Sequence, residues 1–156
     1  MFKTIAGTAA ILLLGAGATA QAEQFKDKSG RNIFIPLSVE DAKQPDGTIV
    51  RKVSSAGISV TDLPFPYDIM KSECRNTVVL AADGKSGRNR GLCENLSSKG
   101  DRATYWVVGD LAGGRYEWIE GTGAYAGIKG GGTYRVKAVM PGGGSVVEWL
   151  GSWQSD

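Results

Sequence analysis

Residues 118–134 read WIEGTGAYAGIKGGGTY, a glycine-rich stretch bordered by strand patterns. Glycine within a strand pattern marks bulges, tight bends or close backbone approach. Aromatic and aliphatic residues alternate on both sides, with Trp118 at one end and Tyr134 at the other, so two strands are predicted to meet here. The stretch is therefore interpreted as a corner in a curved sheet, formed by Gly121, Gly123, Gly127, Gly130 and Gly132.

Short strand patterns separated by turn signals continue on both sides of this corner. Helical periodicity is not sustained anywhere after the first 22 residues. The predicted strands are 32–36, 48–53, 57–60, 77–82, 103–108, 115–120, 132–140 and 145–153. Pro36 is expected to end the first strand, and the proline-containing segment 63–67 is expected to be a loop whose rings cover one barrel end or line its mouth. About eight strands with repeated glycine bends predict an all-β fold, a single antiparallel β-barrel.

The first 22 residues have the pattern of a secretory signal peptide. Lys3 gives a basic start, residues 5–18 are mostly apolar or small, and the triplet 20–22 is a small-x-small cleavage signal. A membrane anchor is the alternative, but the apolar run is shorter than the roughly 20 residues that a span needs. We expect cleavage before Glu23, one domain over 23–156, a periplasmic or extracellular location, and no membrane contact after cleavage.

Composition and charge exclude several classes of function. The chain has 18 basic and 16 acidic residues, and one of the basic residues, Lys3, belongs to the signal segment. The mature protein is then nearly neutral, which argues against nucleic acid as a partner. Histidine is absent, so the Ser-His-Asp and Cys-His nucleophile systems and the commonest metal ligand are missing. We therefore expect no metal and no cofactor, and the balance favours a protein that is not an enzyme.

Two cysteines, Cys74 and Cys93, are present, and an isolated pair in an oxidising compartment is typically a disulfide. The dipeptide Asp83-Gly84 favours a two-residue type I′ hairpin turn, and a hairpin centred on it places the cysteines directly opposite each other. In that register they form a hydrogen-bonded pair, with Cα atoms about 5.5 Å apart. A redox-active pair is the alternative, but C-x-x-C spacing is missing. The spacing thus predicts a structural disulfide.

The glycine-rich stretch also carries a resemblance. Residues 121–134 resemble the G-T-G-x-[YF]-x-G-[IA]-x-G-x-G-x-Y segment of the allene oxide cyclase and dirigent barrels, which are calycin-like, and of related small secreted bacterial proteins of unassigned function. The resemblance extends over about residues 74–153. It implies the same type of barrel but no particular activity, since one fold hosts many functions.

Aromatic side chains on the predicted strands are the candidate ligand-binding groups, namely Trp106, Trp118, Tyr134 and Trp149. Inside a barrel, such rings would offer flat apolar surface with a polar handle to a small ligand. The alternative is that they only fill the interior, which in a barrel of eight strands is just wide enough for side chains.

Glu148 is the candidate catalytic residue. It alternates with Val146 and Leu150, while Trp149 alternates with Val147 and Trp153, so either set could face the interior. If Glu148 points inward, it would be an acid or base of shifted pKa in an apolar lumen.

These observations predict a secreted or periplasmic barrel that binds a small apolar or aromatic ligand, or a protein partner, without catalysis. The alternative is a cyclase or isomerase that folds a flexible apolar substrate inside the barrel, where confinement supplies most of the catalysis. An interior carboxylate or arginine would favour this alternative. The sequence indicates neither the ligand nor the oligomeric state.

Overall fold

The computed structural model describes residues 23–156, which form a closed antiparallel barrel of eight strands. The strands are β1 (Glu23–Lys43), β2 (Ile49–Thr61), β3 (Ile69–Leu80), β4 (Gly87–Ser97), β5 (Arg102–Asp110), β6 (Gly113–Gly121), β7 (Lys129–Val139) and β8 (Ser145–Ser155). Each strand pairs with the next along the chain, and β8 closes the barrel on β1. The predicted all-β antiparallel barrel is confirmed, while the predicted signal peptide lies outside the described residues. Among residues 23–156, no helix is long and apolar enough to cross a membrane.

The first two strands are longer than predicted. Pro36 does not end β1, because the register shifts between Pro36 and Ser38 and pairing with β2 then continues as far as Lys43. A bulge is one of the few places where a sheet accepts proline, which has no N–H to donate. The two short segments predicted at 48–53 and 57–60 are both parts of β2, because the small residues between them stay in the ladder.

The hairpin of β3 and β4 has the predicted register but a different turn. Cys74 pairs with Cys93, and the two form the predicted disulfide. Ala81 N–H donates to the carbonyl of Ser86 at 2.9 Å, so the loop has four residues rather than two. The predicted loop and the observed loop are both centred on Asp83-Gly84, so the register is the same in both cases.

The longer loop does change the type of cross-strand pair. Moving the closing pair by one residue exchanges hydrogen-bonded and non-hydrogen-bonded pairs along the whole ladder. The Cys74 and Cys93 Cα atoms are accordingly 4.1 Å apart, which is close to the shorter of the two pair distances. The expectation of a hydrogen-bonded pair was therefore wrong.

The glycine-rich corner connects β6 to β7 and closes one end of the barrel. It contains a short 3₁₀ helix, Gly123–Tyr125, and three of its glycines have positive φ, Gly123 at 57°, Gly127 at 63° and Gly130 at 120°. These left-handed conformations favour glycine. The turn carries Tyr125 and Ile128 into the interior, where both are buried.

The loop between β2 and β3 covers the same end of the barrel. Leu63 and Tyr67 from this loop pack with Tyr125, Ile128 and other buried residues into one apolar cluster. The Tyr67 hydroxyl donates to the carbonyl of Ala124 at 2.9 Å, which ties the two closing loops together. One barrel end is thus sealed by an apolar plug.

Candidate ligand-binding site

A cavity of about 180 Å³ occupies the barrel above this plug. Its walls are the inward side chains of the strands, and its upper part is lined by Pro36, Val53, Asn89, Tyr134 and Gly143. These residues lie near the β1–β2, β3–β4 and β7–β8 hairpins, at the end opposite the plug. The lumen is therefore a one-ended pocket whose mouth lies between the hairpins, and its volume suits a ligand of one or two rings.

Aromatic rings form one continuous wall of this cavity. Tyr105 packs against Trp118 with ring centroids 4.9 Å apart, and Tyr116 packs against Trp149 at 6.4 Å. The rings meet edge to face, an arrangement that their quadrupoles favour. Tyr116 can approach β8 because Gly151 has no side chain, and a Cβ there would lie 2.1 Å from the Tyr116 hydroxyl. The edge-to-face packing offers ring faces and edges to a ligand.

Part of the polar lining is already hydrogen-bonded within the protein. Ser72 Oγ donates to Asn95 Oδ1 at 2.7 Å, and Trp149 Nε1 donates to Asn32 Oδ1 at 3.1 Å. The Tyr105 phenol lies close to Ser72 and Asn32. The two hydrogen bonds satisfy these polar groups, and the bond to Asn32 fixes the orientation of the Trp149 indole.

Four other polar atoms in the wall are buried without a hydrogen-bond partner: Asn76 Oδ1, Asn89 Oδ1, Tyr116 Oη and Trp118 Nε1. All four residues line the cavity. Buried polar groups in native proteins are nearly always satisfied, so unsatisfied ones ask for an explanation such as a bound ligand or water. Two are acceptors, the indole nitrogen is a donor, and the phenol is both.

Among the described residues 23–156, those that line the cavity include no Asp, Glu, Lys or Arg. Burial raises the pKa of Tyr105 to about 12, although the neighbouring Ser72 and Asn32 side chains act in the opposite direction. Burial likewise raises the pKa of Tyr116 and of Tyr134. The phenols are therefore neutral at physiological pH, where they can hydrogen-bond but cannot act as bases. Within residues 23–156, no group of three His, Cys, Asp or Glu side chains could hold a metal ion.

Three of the four predicted aromatic residues lie in the cavity wall, namely Trp118, Tyr134 and Trp149. Asn89 Nδ2 donates to the Tyr134 hydroxyl at 3.4 Å near the mouth. Trp106 is on the opposite face of β5, where 48% of its surface is exposed. It therefore cannot contact a ligand in the lumen.

Glu148 also lies outside the lumen. Its carboxylate accepts hydrogen bonds from Arg31 Nε at 3.1 Å and Nη2 at 2.9 Å, and Lys137 Nζ is 3.3 Å away. Partial desolvation acts to raise the pKa of Glu148, but the bonds from Arg31 and Lys137 outweigh it and hold the pKa below its ordinary value. Because Glu148 does not point inward, it is not an acid or base within the lumen.

We expect Glu148→Gln to leave lumen binding unchanged, because the carboxylate faces solvent and the substitution only weakens surface ion pairs. The measurement is ligand titration of the variant beside the wild type, with urea unfolding to follow stability. A large loss of affinity in a variant that unfolds at the same urea concentration would show that Glu148 reaches the ligand after all.

The geometry of this barrel can be compared with solved structures. The pterocarpan synthase dirigent protein GePTS1 superposes with a TM-score of 0.52 at 9% identity, over 99% of this chain and 100% of that one. A second pterocarpan synthase dirigent protein, PsPTS1, superposes with a TM-score of 0.53 at 8% identity, over 86% and 95% of the two chains. The chain has the fold of a dirigent barrel.

At this identity the dirigent likeness concerns the fold alone. No protein-family model matches the sequence, and no curated protein matches it. The dirigent part of the predicted resemblance is supported at the level of the fold, and the likeness to allene oxide cyclases and to bacterial proteins stays a prediction.

Sequence reasoning missed several lumen residues, including Asn32, Asn76, Asn89, Tyr105 and Tyr116. One signal could have found some of them. A buried disulfide fixes the inward face of its two strands, and side chains on a strand alternate between faces. Asn76 is two residues from Cys74 and therefore shares its face, as Asn95 shares that of Cys93. No comparable marker exists on β1 or β6.

Proposed function

We propose that the protein binds a small, uncharged aromatic ligand carrying hydrogen-bonding groups inside its barrel, and that it does not change the ligand chemically. The observation that carries this proposal is the combination of an aromatic wall, unpartnered polar atoms and the lack of charged side chains in one pocket. An ionised ligand would lose its hydration without gaining a countercharge, so charged compounds should be excluded.

The polar atoms indicate how such a ligand would be oriented. Trp118 Nε1 can donate to an acceptor on the ligand, while Asn76 Oδ1 and Asn89 Oδ1 can accept from hydroxyl groups. A ring bearing hydroxyl or ether oxygens meets both requirements. The aromatic faces then supply most of the buried area, and the polar atoms set the orientation.

The alternative of a cyclase or isomerase has less support in the site. An interior carboxylate or arginine would have favoured it, and the described residues that line the cavity include neither. Because the dirigent neighbours are pterocarpan synthases, incubated ligands should nevertheless be analysed for a product by mass spectrometry. A product formed by the protein would replace the binding proposal with the catalytic one.

The test is a titration of residues 23–156 with neutral one-ring and two-ring phenols, in which tryptophan fluorescence is recorded at each concentration. Saturable quenching is expected, since both Trp118 and Trp149 line the cavity. Benzoate, an anionic one-ring compound, should not bind. If no neutral phenol changes the emission at about millimolar concentration, where even weak binding would be visible, the lumen proposal fails and a protein partner becomes the leading hypothesis.

A matched pair of variants separates the lumen from the outer wall. Val147 lines the cavity, and its neighbour Val146 does not. Val147→Phe should lower affinity by at least about tenfold by filling the pocket, while Val146→Phe should leave it nearly unchanged. Trp118→Phe, which keeps one aromatic ring but loses the Nε1 donor together with part of the indole surface, should weaken oxygen-bearing ligands by about tenfold. Equal effects of Val146→Phe and Val147→Phe would contradict a lumen site.

A further inference from the structure

The outer wall carries a second, separate feature, a groove across β3, β4 and β5. It is lined by Arg75, Thr77, Arg90, Gly91, Leu92 and Trp106. The lumen does not use the exposed side chains of Trp106 and Leu92. We call this feature the outer groove.

Two arginines, Arg75 and Arg90, lie in the outer groove, and within residues 23–156 neither of them forms a salt bridge. Arg75 is opposite Leu92 and Arg90 is opposite Thr77, so the arginines are diagonal neighbours across the β3–β4 pair. Such neighbours lie about 7–8 Å apart, within joint reach of one anionic group for long side chains. The salt bridges found within residues 23–156 engage Arg31, Arg51, Lys71, Arg102 and Lys137.

The nearest acidic side chains are already engaged or lie at the edge. Glu73 is paired with Lys71 at 2.6 Å, and the pKa of its carboxyl is lowered mainly by Lys71 and to a smaller extent by the charges of Arg75 and Arg102. Glu94 is paired with Arg102 at 3.5 Å. Glu117 is opposite Trp106 on β6, at the far side of the groove. The centre of the outer groove is therefore positive although the protein as a whole is nearly neutral.

Trp106 supplies the aromatic surface of the outer groove. Its indole is about half exposed, and Trp106 is the direct cross-strand partner of Leu92 in the β4–β5 pair. A flat indole beside two guanidinium groups matches a sugar ring that bears a carboxylate. The ring stacks its C–H face on the indole, and the carboxylate takes a bidentate hydrogen bond from arginine.

From this juxtaposition we infer that the outer groove binds an acidic polysaccharide. Other anionic partners fit less well. A closed barrel has no free strand edge, so an acidic peptide could not add a strand and would depend on side-chain contacts alone. A lipid surface requires several apolar side chains projecting together, whereas the groove offers one indole and one leucine inside a concave site.

Binding should be tested with residues 23–156 and polygalacturonate, a polymer of uronic acid, by calorimetry and affinity electrophoresis at low and moderate salt. Dextran, a neutral polymer, serves as the uncharged comparison. We expect polygalacturonate to bind and dextran not to bind. Arg75→Gln with Arg90→Gln should lower the affinity by at least about tenfold, and Trp106→Ala should lower it by about fivefold.

The matched control is Lys26→Gln with Lys129→Gln, which also removes two positive charges but does so at the plugged end of the barrel. This variant should bind polygalacturonate within about twofold of the wild type, because total charge is not the determinant. Circular dichroism and lumen titration should be unchanged in all three variants, so failure here is distinguishable from failure of the lumen proposal. The inference is overturned if the wild type does not bind polygalacturonate, if the lysine variant loses as much as the arginine variant, or if polyglutamate or anionic lipid vesicles bind more tightly.

Discussion

Raising the pH from 10 to 12 is expected to destabilise the barrel steeply. Burial raises the pKa of Tyr105 from 10.0 to about 12, and it also raises the pKa of Tyr116 and of Tyr125. Tyr105 lies in the lumen wall, and Tyr125 is part of the plug that seals the barrel. The ionised phenol is disfavoured in both places, because a buried charge without a partner is costly.

Stability falls as the pH rises because the phenols have a lower pKa in the unfolded chain than in the folded protein. Below pH 10 the phenols are neutral in both the folded and the unfolded chain, and their full contribution to stability is present. Above pH 10 the unfolded chain ionises first, so stability is lost as the pH rises through the folded-state pKa. For Tyr105 alone, the change from 10.0 to about 12 corresponds to about 3 kcal/mol of unfolding free energy. Tyr116 and Tyr125 lose their contributions in the same direction, so the total is a substantial fraction of a typical domain stability.

Urea unfolding at a series of pH values, with tyrosinate absorbance recorded in parallel, measures this loss. Tyr105→Phe is the control, since it removes one ionisable phenol and keeps the ring. Its stability should fall less between pH 10 and 12 than that of the wild type, whatever its stability at neutral pH. Reversible titration of every tyrosine near pH 10 in a protein that stays folded would contradict the prediction.

Removing the disulfide is expected to produce the other large effect. Cys74 and Cys93 are 19 residues apart in sequence and join two adjacent strands. A bridge that closes a loop of this size stabilises a protein by roughly 3 kcal/mol, mainly by restricting the unfolded chain. Cys74→Ala with Cys93→Ala should therefore lower the Tm by roughly 10 °C. The far-UV spectrum should stay that of a barrel, because the hairpin keeps its ladder.

Thermal unfolding with and without a reductant gives the control for this prediction. Reduction should lower the Tm of the wild type by a similar amount and leave the double alanine variant unaffected. Two free thiols in unfolded, unreduced protein would show that the bridge does not form. An unchanged Tm in the variant would show that it does not stabilise the fold.

Local turn chemistry made the β3–β4 hairpin predictable. Any symmetric loop centred on Asp83-Gly84 pairs Cys74 with Cys93, so the register survived the error in loop length. The predicted type of cross-strand pair was wrong, because the pair type depends on which residues close the loop. Ala81 and Ser86 close it.

The long strands β1 and β2 were less predictable for a different reason. Pro36 normally ends a strand, and the small residues around Ser55 and Gly57 lack the side chains that usually identify one. Barrel closure overrides both local preferences. β1 pairs with β2 on one side and with β8 on the other, and a bulge after Pro36 accommodates the missing N–H.

Local patterns were enough to predict a β-structure with a glycine corner at 121–132 and a bridged hairpin. These features depend on neighbours close along the chain, through turn conformation and strand alternation. The face of β8 that lines the lumen depends instead on how the barrel closes. Alternation is the same in either orientation, and closure onto β1 places Glu148 opposite Arg31 in solvent and Trp149 opposite Gly30 inside the barrel. The candidate site depends on that choice, because it makes the lumen uncharged and aromatic.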